Sequence, residues 1–153
     1  IGSGTRLAWL REQVRARQLH HVDLPGRFDP QHMAGIFEQA DALLVSLVKG
    51  PAMSLTIPSK MQAYLAAGRP VLAAMDGEGA RVVEEAGAGL TCPAEDASGL
   101  ARVARQLKDL TAEQRQAMGL AGRRYFDEHF APDLVARTLL GHFQRALQGP
   151  RSP

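Results

Sequence analysis

Cysteine occurs once in the 153 residues, at Cys92, so the chain has no internal disulfide framework and no cysteine metal set. A reducing compartment, the cytoplasm, is the expected setting. No apolar run approaches the roughly 20 residues that a membrane-spanning helix needs, and no leader pattern of charged, apolar and small residues is visible. Charge of one sign is also lacking. Eighteen Lys and Arg against sixteen Asp and Glu leave a net +2, too little for nucleic acid to be the expected partner. The five histidines have no metal-ligand spacing with acidic neighbours, and no nucleophile–base set emerges. Neither a cofactor nor a metal is expected. "IGSGTRLAWL" carries Gly2 and Gly4 but no third glycine at the dinucleotide-fingerprint spacing, so that motif is discounted.

The composition is that of one globular domain, with 45% hydrophobic and 22% charged residues. Charge is unevenly spread: residues 1–100 hold 9 basic against 11 acidic side chains, and residues 101–153 hold 9 against 5. The basic second part suits either a solvated helical face or an anionic partner. "IGSG" reads as a strand tail entering a turn, and residues 5–18 as a helix capped by Thr5. "HVDLPG" then reads as a strand ending in a Pro-Gly turn. Asp29 and Pro30 suit the start of a helix that runs to about Gln39.

"ADALLVSLV" is a strand and 49–57 a loop. A helix over 58–67, with Pro58 in its first position and Gly68 as its stop, leads into a strand at 70–74. A helix at 77–87 and a strand in "GAGLTCP" follow. Three amphipathic helices come last, marked by Leu100, Val103, Ala104 and Leu107, by Thr111 as a cap, and by Val135, Leu139, Phe143 and Leu147. Alternating helix and strand predicts a Rossmann-like, doubly wound parallel α/β sheet with additional C-terminal helices. The expected division is an α/β domain over 1–130, a helix over 131–148 and a frayed tail over 149–153.

Ligands of open parallel sheets sit outside the strands' carboxyl ends, where loops run into helix N-termini. "VSLVKGPAMSLTIPSK" is such a strand, loop and helix start. The first amides of that helix, at Ser59 and Lys60, have no intrahelical acceptors, and the helix dipole adds positive potential. Phosphate binding is one reading. A capping Ser59 with a solvated Lys60 is the other. "DGEG", residues 76–79, is a second loop of this kind: a close approach of backbone to ligand, or a plain turn with Asp76 as the helix cap. "LPGRF" is a third, where Arg27 and Phe28 serve a phosphate or a flat base, or are simply an exposed arginine and a core phenylalanine.

The combination "TIPSKMQAYLAAGRPVLAAMDGEGARVVEEAGAGLTCPAED", preceded by "HVDLPGRF" and "ADALLVSL", resembles the C-terminal donor-binding domain of GT-B-fold retaining glycosyltransferases of group 1. The subfamily it resembles most adds amino sugars such as N-acetylfucosamine during bacterial surface-polysaccharide assembly. The likeness runs from Ile1 to about Phe143. It implies a nucleotide-diphosphate-sugar donor, UDP-linked, with the base near Gly26, Arg27 and Phe28. It places the diphosphate over Pro58, Ser59 and Lys60, and the sugar near Ser54, Leu55 and Thr56. It also implies a parent enzyme with an acceptor-binding domain ahead of this one and a peripheral contact with the inner membrane.

Two features depart from that pattern. Many relatives place glutamates eight positions apart for the sugar and the ribose, where this sequence has Leu55 and Ala63. Gln62 and Tyr64 are the polar neighbours, but a helix turns about 100° per residue, so neither projects where residue 63 does. The strand and loop with a basic pair that opens the domain in relatives is also missing, so the isolated chain is expected to bind weakly and catalyse nothing. A non-catalytic nucleotide-binding or regulatory module of the same fold is the alternative. A response-regulator-like interaction domain fits the strand pattern but lacks the acidic cluster after an early strand.

Overall fold

A computed structural model describes residues 1–147; the tail expected at 149–153 lies outside them. The chain divides into two compact units, Ile1–Ile36 and the remainder from Phe37 on.

In the first unit, α1 spans Leu7–Ala16, and a single turn of 3₁₀ helix at Pro30–His32 leads into α2, Met33–Glu38, which runs across the boundary. Asp29 caps the 3₁₀ turn as expected, its carboxylate accepting from the Gln31 amide at 3.1 Å. Three expectations fail here. Arg6, not Thr5, occupies the N-cap of α1, and no side chain caps it. Neither "IGSG" nor "HVDLPG" forms a strand. One backbone bond, from the Gly2 amide to the Gly26 carbonyl at 2.7 Å, is all that joins them. A single bond fixes too few residues to make a ladder, because strand pairing needs repeated exchange along both segments.

The second unit is built on three parallel strands in the order β1-β2-β3: Leu43–Ser46, Val71–Ala74 and Gly89–Cys92. Val45 sits opposite Ala73, and Ala73 opposite Thr91. Side chains alternate across the sheet. Val45, Val71, Ala73 and Met75 point to one face and pack with Met61 and Leu65 of α4 (Ser59–Ala66) and Val82 and Val83 of α5 (Glu78–Glu85). Tyr125, Phe126 and Phe130, from α7 (Ala112–His129) and the residue after it, close this core. Ala74 and Cys92 point to the opposite face and meet Val103 of α6 (Ala97–Asp109), with Leu72, Leu90 and Leu100 around them. Met61 and Leu65, four apart on α4, are 0% exposed. Burying such side chains contributes about 1.5–3 kcal/mol each. The doubly wound α/β expectation therefore holds.

Local chemistry accounts for the element ends. Gly68 has φ +65°, the left-handed stop that releases α4 into β2 three residues later. Thr111 and Gln114 form a reciprocal capping box at the start of α7 (2.8 and 3.2 Å). Pro58 is the N-cap of α4 (φ −64°, ψ 143°), not its first helical residue, because its extended ψ places the turn one residue later. Residues Pro51–Ser54, expected as loop, make one helical turn, α3. The last helix, α8 (Pro132–Leu147), has no buried residue. The residues of its apolar stripe, Val135, Leu139, Leu140, Phe143 and Leu147, are 48–87% exposed. Among the described residues no helix is long and apolar enough to cross a membrane.

Candidate functional site

The carboxyl edge of the sheet in the second unit brings together two of the expected loops. Beyond β1 the chain makes α3, passes Leu55 and Thr56, and turns at Pro58 into α4. Pro58 lacks an amide hydrogen and presets φ, and its carbonyl accepts from the Met61 amide at 2.8 Å. The amides of Ser59 and Lys60 have no acceptor among the described residues, and no side chain caps the helix. Both side chains are exposed, and Lys60 is in no ion pair among the described residues. The helix therefore presents two free amides, a hydroxyl and an ammonium toward solvent, reinforced by its dipole.

The loop ahead of it is internally tied. The Ser54 hydroxyl donates to the Pro51 carbonyl at 2.9 Å and the Thr56 hydroxyl to the Ala52 carbonyl at 2.6 Å. Their protons are thus committed, leaving oxygen lone pairs as what these two side chains can offer a ligand. Leu55, between them, is 78% exposed.

"DGEG" abuts this loop. A Cβ on Gly77 (φ +74°) would overlap the Ser54 carbonyl, and Gly79 approaches Met75 and the Thr56 carbonyl. Both glycines sit in close approach to the protein's own atoms, Gly77 to the Ser54 backbone and Gly79 to the Met75 side chain. Asp76 does not cap α5, whose N-cap is Gly77. Its Oδ1 accepts from the Ala94 amide at 3.1 Å instead, joining the loops after β2 and β3. A carboxylate two residues after a strand gives no sequence signal for choosing between cap and cross-loop tie.

Gly26, Arg27 and Phe28 belong to the first unit. Gly26 (φ +89°) lines a cavity of about 200 Å³ with Gly2, Gly4, Leu7 and Leu24, while Arg27 and Phe28 are exposed, Phe28 by 38%. Phe28 is therefore not a core residue.

Tyr64 is ruled out as a stand-in for the missing ribose carboxylate. Its ring packs edge-on against Phe37 (centroids 5.3 Å apart, 83° between planes), and burial raises its phenol pKa. Ala63 is exposed and Gln62 half-buried. A feature that sequence reading missed is a cavity of about 310 Å³ at the same edge, lined by Ser46, Val48, Ala74, Glu95, Asp96 and Leu100. Asp96 is committed there as the cap of α6, accepting from the Gly99 amide and the Ser98 hydroxyl, both at 2.8 Å. The Gly99 amide, ahead of the Ser98 hydroxyl, lowers its pKa. Glu95 holds a left-handed φ of +62°, a conformation that costs a non-glycine residue roughly 1–3 kcal/mol.

Residues 1–109 match the family described as glycosyl transferases group 1. The chain belongs to that family. It is 38% identical over 112 residues to a probable glycosyltransferase, WbjE, of Pseudomonas aeruginosa; the match covers 72% of this chain and 28% of that protein. Among solved structures it is similar to sucrose-phosphate synthase from Thermosynechococcus elongatus, with a TM-score of 0.73 and 21% identity over 92% of this chain and 34% of the other. That likeness supports the Rossmann-like, GT-B-type architecture. The chain thus spans about a third or less of the length of either relative.

Proposed function

We propose that this chain is the donor-binding half of a retaining, GT-B-fold glycosyltransferase that takes a nucleotide-diphosphate sugar, UDP-linked. The observation that carries the reading is the uncapped start of α4, with amides at Ser59 and Lys60 and an ammonium that have no partner among the described residues, at the carboxyl edge of a parallel sheet in a group 1 chain. In this reading Pro58, Ser59 and Lys60 hold the diphosphate. Ser54, Leu55 and Thr56 border the sugar, and Gly26, Arg27 and Phe28 serve the base. The parent enzyme works in bacterial surface-polysaccharide or lipid-linked oligosaccharide synthesis, adding an amino sugar such as N-acetylfucosamine. It acts in the cytoplasm, with a separate acceptor-binding domain and peripheral membrane contact. The coverage of 28% and 34% of the two relatives leaves room for such a domain. Leaving-group charge is then stabilised jointly by α4 and by cations outside this chain, so the isolated chain binds donor weakly and turns nothing over.

Lys60→Ala in the full-length parent tests the assignment. A charge-assisted contact to phosphate is worth roughly 1.5–3 kcal/mol, so calorimetry should find UDP and UDP-sugar affinity reduced by about one to two orders of magnitude. Arg105→Ala, on an exposed position of α6, should change nothing. Equal donor affinity in Lys60→Ala and wild type rules the diphosphate role out.

A second reading, a non-catalytic nucleotide-binding module, draws on the apolar Leu55 and Ala63 at positions where related enzymes carry carboxylates. Donor binding by the parent without sugar transfer to any acceptor lipid would select it.

A further inference from the structure

The opposite, amino edge of the same sheet holds a second polar cavity, of about 270 Å³, where the chain enters β1 and β2 and where α7 begins. Asp41, Arg69, Arg115 and Gln116 line it, with Gly68 and Ala112 as its floor. Arg69 and Arg115 are both half-buried. Each uses a single nitrogen inside the protein: Arg69 Nη2 donates to the Glu38 carbonyl, and Arg115 Nη1 to the Leu110 carbonyl and, at 3.4 Å, to the Lys108 carbonyl. Their remaining guanidinium N–H groups have no acceptor, and neither arginine is in an ion pair, among the described residues. The contrast lies within this chain. Arg81 and Arg123, which are more exposed, are each neutralised by helix-neighbour carboxylates. Two half-buried guanidiniums that share a cavity with one carboxylate, Asp41, and are in an ion pair with none among the described residues are an unusual arrangement, because burying charge is costly unless it is paired.

We propose that this cavity is a second ligand site, for a phosphorylated sugar or polyol, distinct from the donor edge. The free faces of Arg69 and Arg115 supply the planar donor forks that hold phosphate bidentately. The Asp41 carboxylate and the Gln116 amide supply what sugar hydroxyls need, an acceptor and a mixed donor–acceptor. A bare anion gains nothing from Asp41, whose carboxylate repels it, so the mixed lining favours a ligand with both groups. The volume lies just under the roughly 300–1,000 Å³ typical of sites for drug-sized ligands and suits one sugar ring with one phosphate. Gly68 follows Ala67, the C-cap of α4, so the site lies at the far end of the helix whose start is assigned to the donor diphosphate. The helix is about 12 Å long at 1.5 Å per residue.

Titration of ¹⁵N-labelled chain with glucose 6-phosphate, inorganic phosphate and glucose tests this by NMR. Glucose 6-phosphate should give saturating shifts at the amides of Asp41, Arg69, Ala112, Arg115 and Gln116; glucose should give none, and inorganic phosphate should bind more weakly. Arg115→Gln should weaken glucose 6-phosphate binding at least about tenfold, equivalent to 1.4 kcal/mol. Asp41→Asn, which leaves both arginine latches in place, should weaken the sugar phosphate while leaving inorganic phosphate unchanged or tighter. Lys60→Ala should leave all of these shifts intact, so loss of the donor assignment and loss of this one are separable. No saturating shifts at the cavity, shifts confined to residues 58–60, or undiminished binding in a folded Arg115→Gln overturns the proposal. Equal affinity for inorganic phosphate and glucose 6-phosphate overturns the sugar assignment.

Discussion

Replacing Gly77 with alanine should disrupt the candidate donor edge more than any other single-methyl change there. Two separate costs combine. Gly77 has φ +74° and ψ −139°, a region almost reserved for glycine, where another residue costs roughly 1–3 kcal/mol. The added Cβ would also overlap the carbonyl and Cβ of Ser54, so the loop leading into α4 must move. Such forced shifts cost about 1–3 kcal/mol. The sum is a loss of about 2–6 kcal/mol by urea unfolding, which for a chain of this size lowers Tm by roughly 2–4 °C per kcal/mol. Gly87→Ala is the control: φ there is +58°, but a Cβ meets nothing within 4 Å, so only a conformational cost remains. Because the displaced segment carries Ser54, Leu55 and Thr56, donor affinity of the parent should fall in Gly77→Ala and not in Gly87→Ala. Equal unfolding midpoints for the two variants would refute the claim that Gly77 is held by loop contact.

Gly68→Val should destabilise by roughly 1–3 kcal/mol through its left-handed φ of +65°, and an unchanged Tm would mean that the turn is adaptable. Amide exchange over 133–147 should be at least about tenfold faster than over β1, because α8 buries none of its residues; equal protection at micromolar dilution would refute its weak anchoring. Asp96, with a pKa lowered first by the Gly99 amide, contributes stability that is present above the unfolded carboxyl value of 3.8 and lost as pH falls through the lower folded value. Asp96→Ala should therefore flatten the acid limb of a stability–pH curve below about pH 4, and an identical limb in wild type and variant contradicts the cap.

The parts legible from sequence are those where one local preference had no rival. "ALLVS", "PVLAA" and "GLTC" are short apolar runs between helix signals, and each is a strand of the parallel sheet. Thr111 with Gln114, and Gly68 after a helical run, have few alternatives to capping and stopping. The first 36 residues were less legible because strand identity depends on a partner. "HVDLPG" carries strand-forming residues but shares a single backbone bond with "IGSG". The site was legible to the level of which loop meets which helix. The ties within it were not. That Asp76 reaches the Ala94 amide depends on how far β2 and β3 extend past their last ladder bonds, a tertiary distance that adjacent residues do not encode.

Leu55 and Ala63 bear on what the donor edge can recognise. A site that hydrogen-bonds sugar and ribose hydroxyls through buried carboxylates discriminates strongly, because a wrong ligand leaves those groups unpaired. Here both positions are apolar and exposed, the phenol of Tyr64 is turned into the core against Phe37, and the protons of Ser54 and Thr56 are committed to α3. What remains directed outward is mainly cationic or dipolar, the Lys60 ammonium, the Ser59 and Lys60 amides and the Ser59 hydroxyl, with only the oxygen lone pairs of Ser54 and Thr56 as acceptors beside them. Under the proposed assignment such a set favours the diphosphate common to all nucleotide-sugar donors over what distinguishes one sugar from another. On that proposal, selectivity for the sugar comes from groups outside this set, and the proposed acceptor-binding part of the parent is where they are expected.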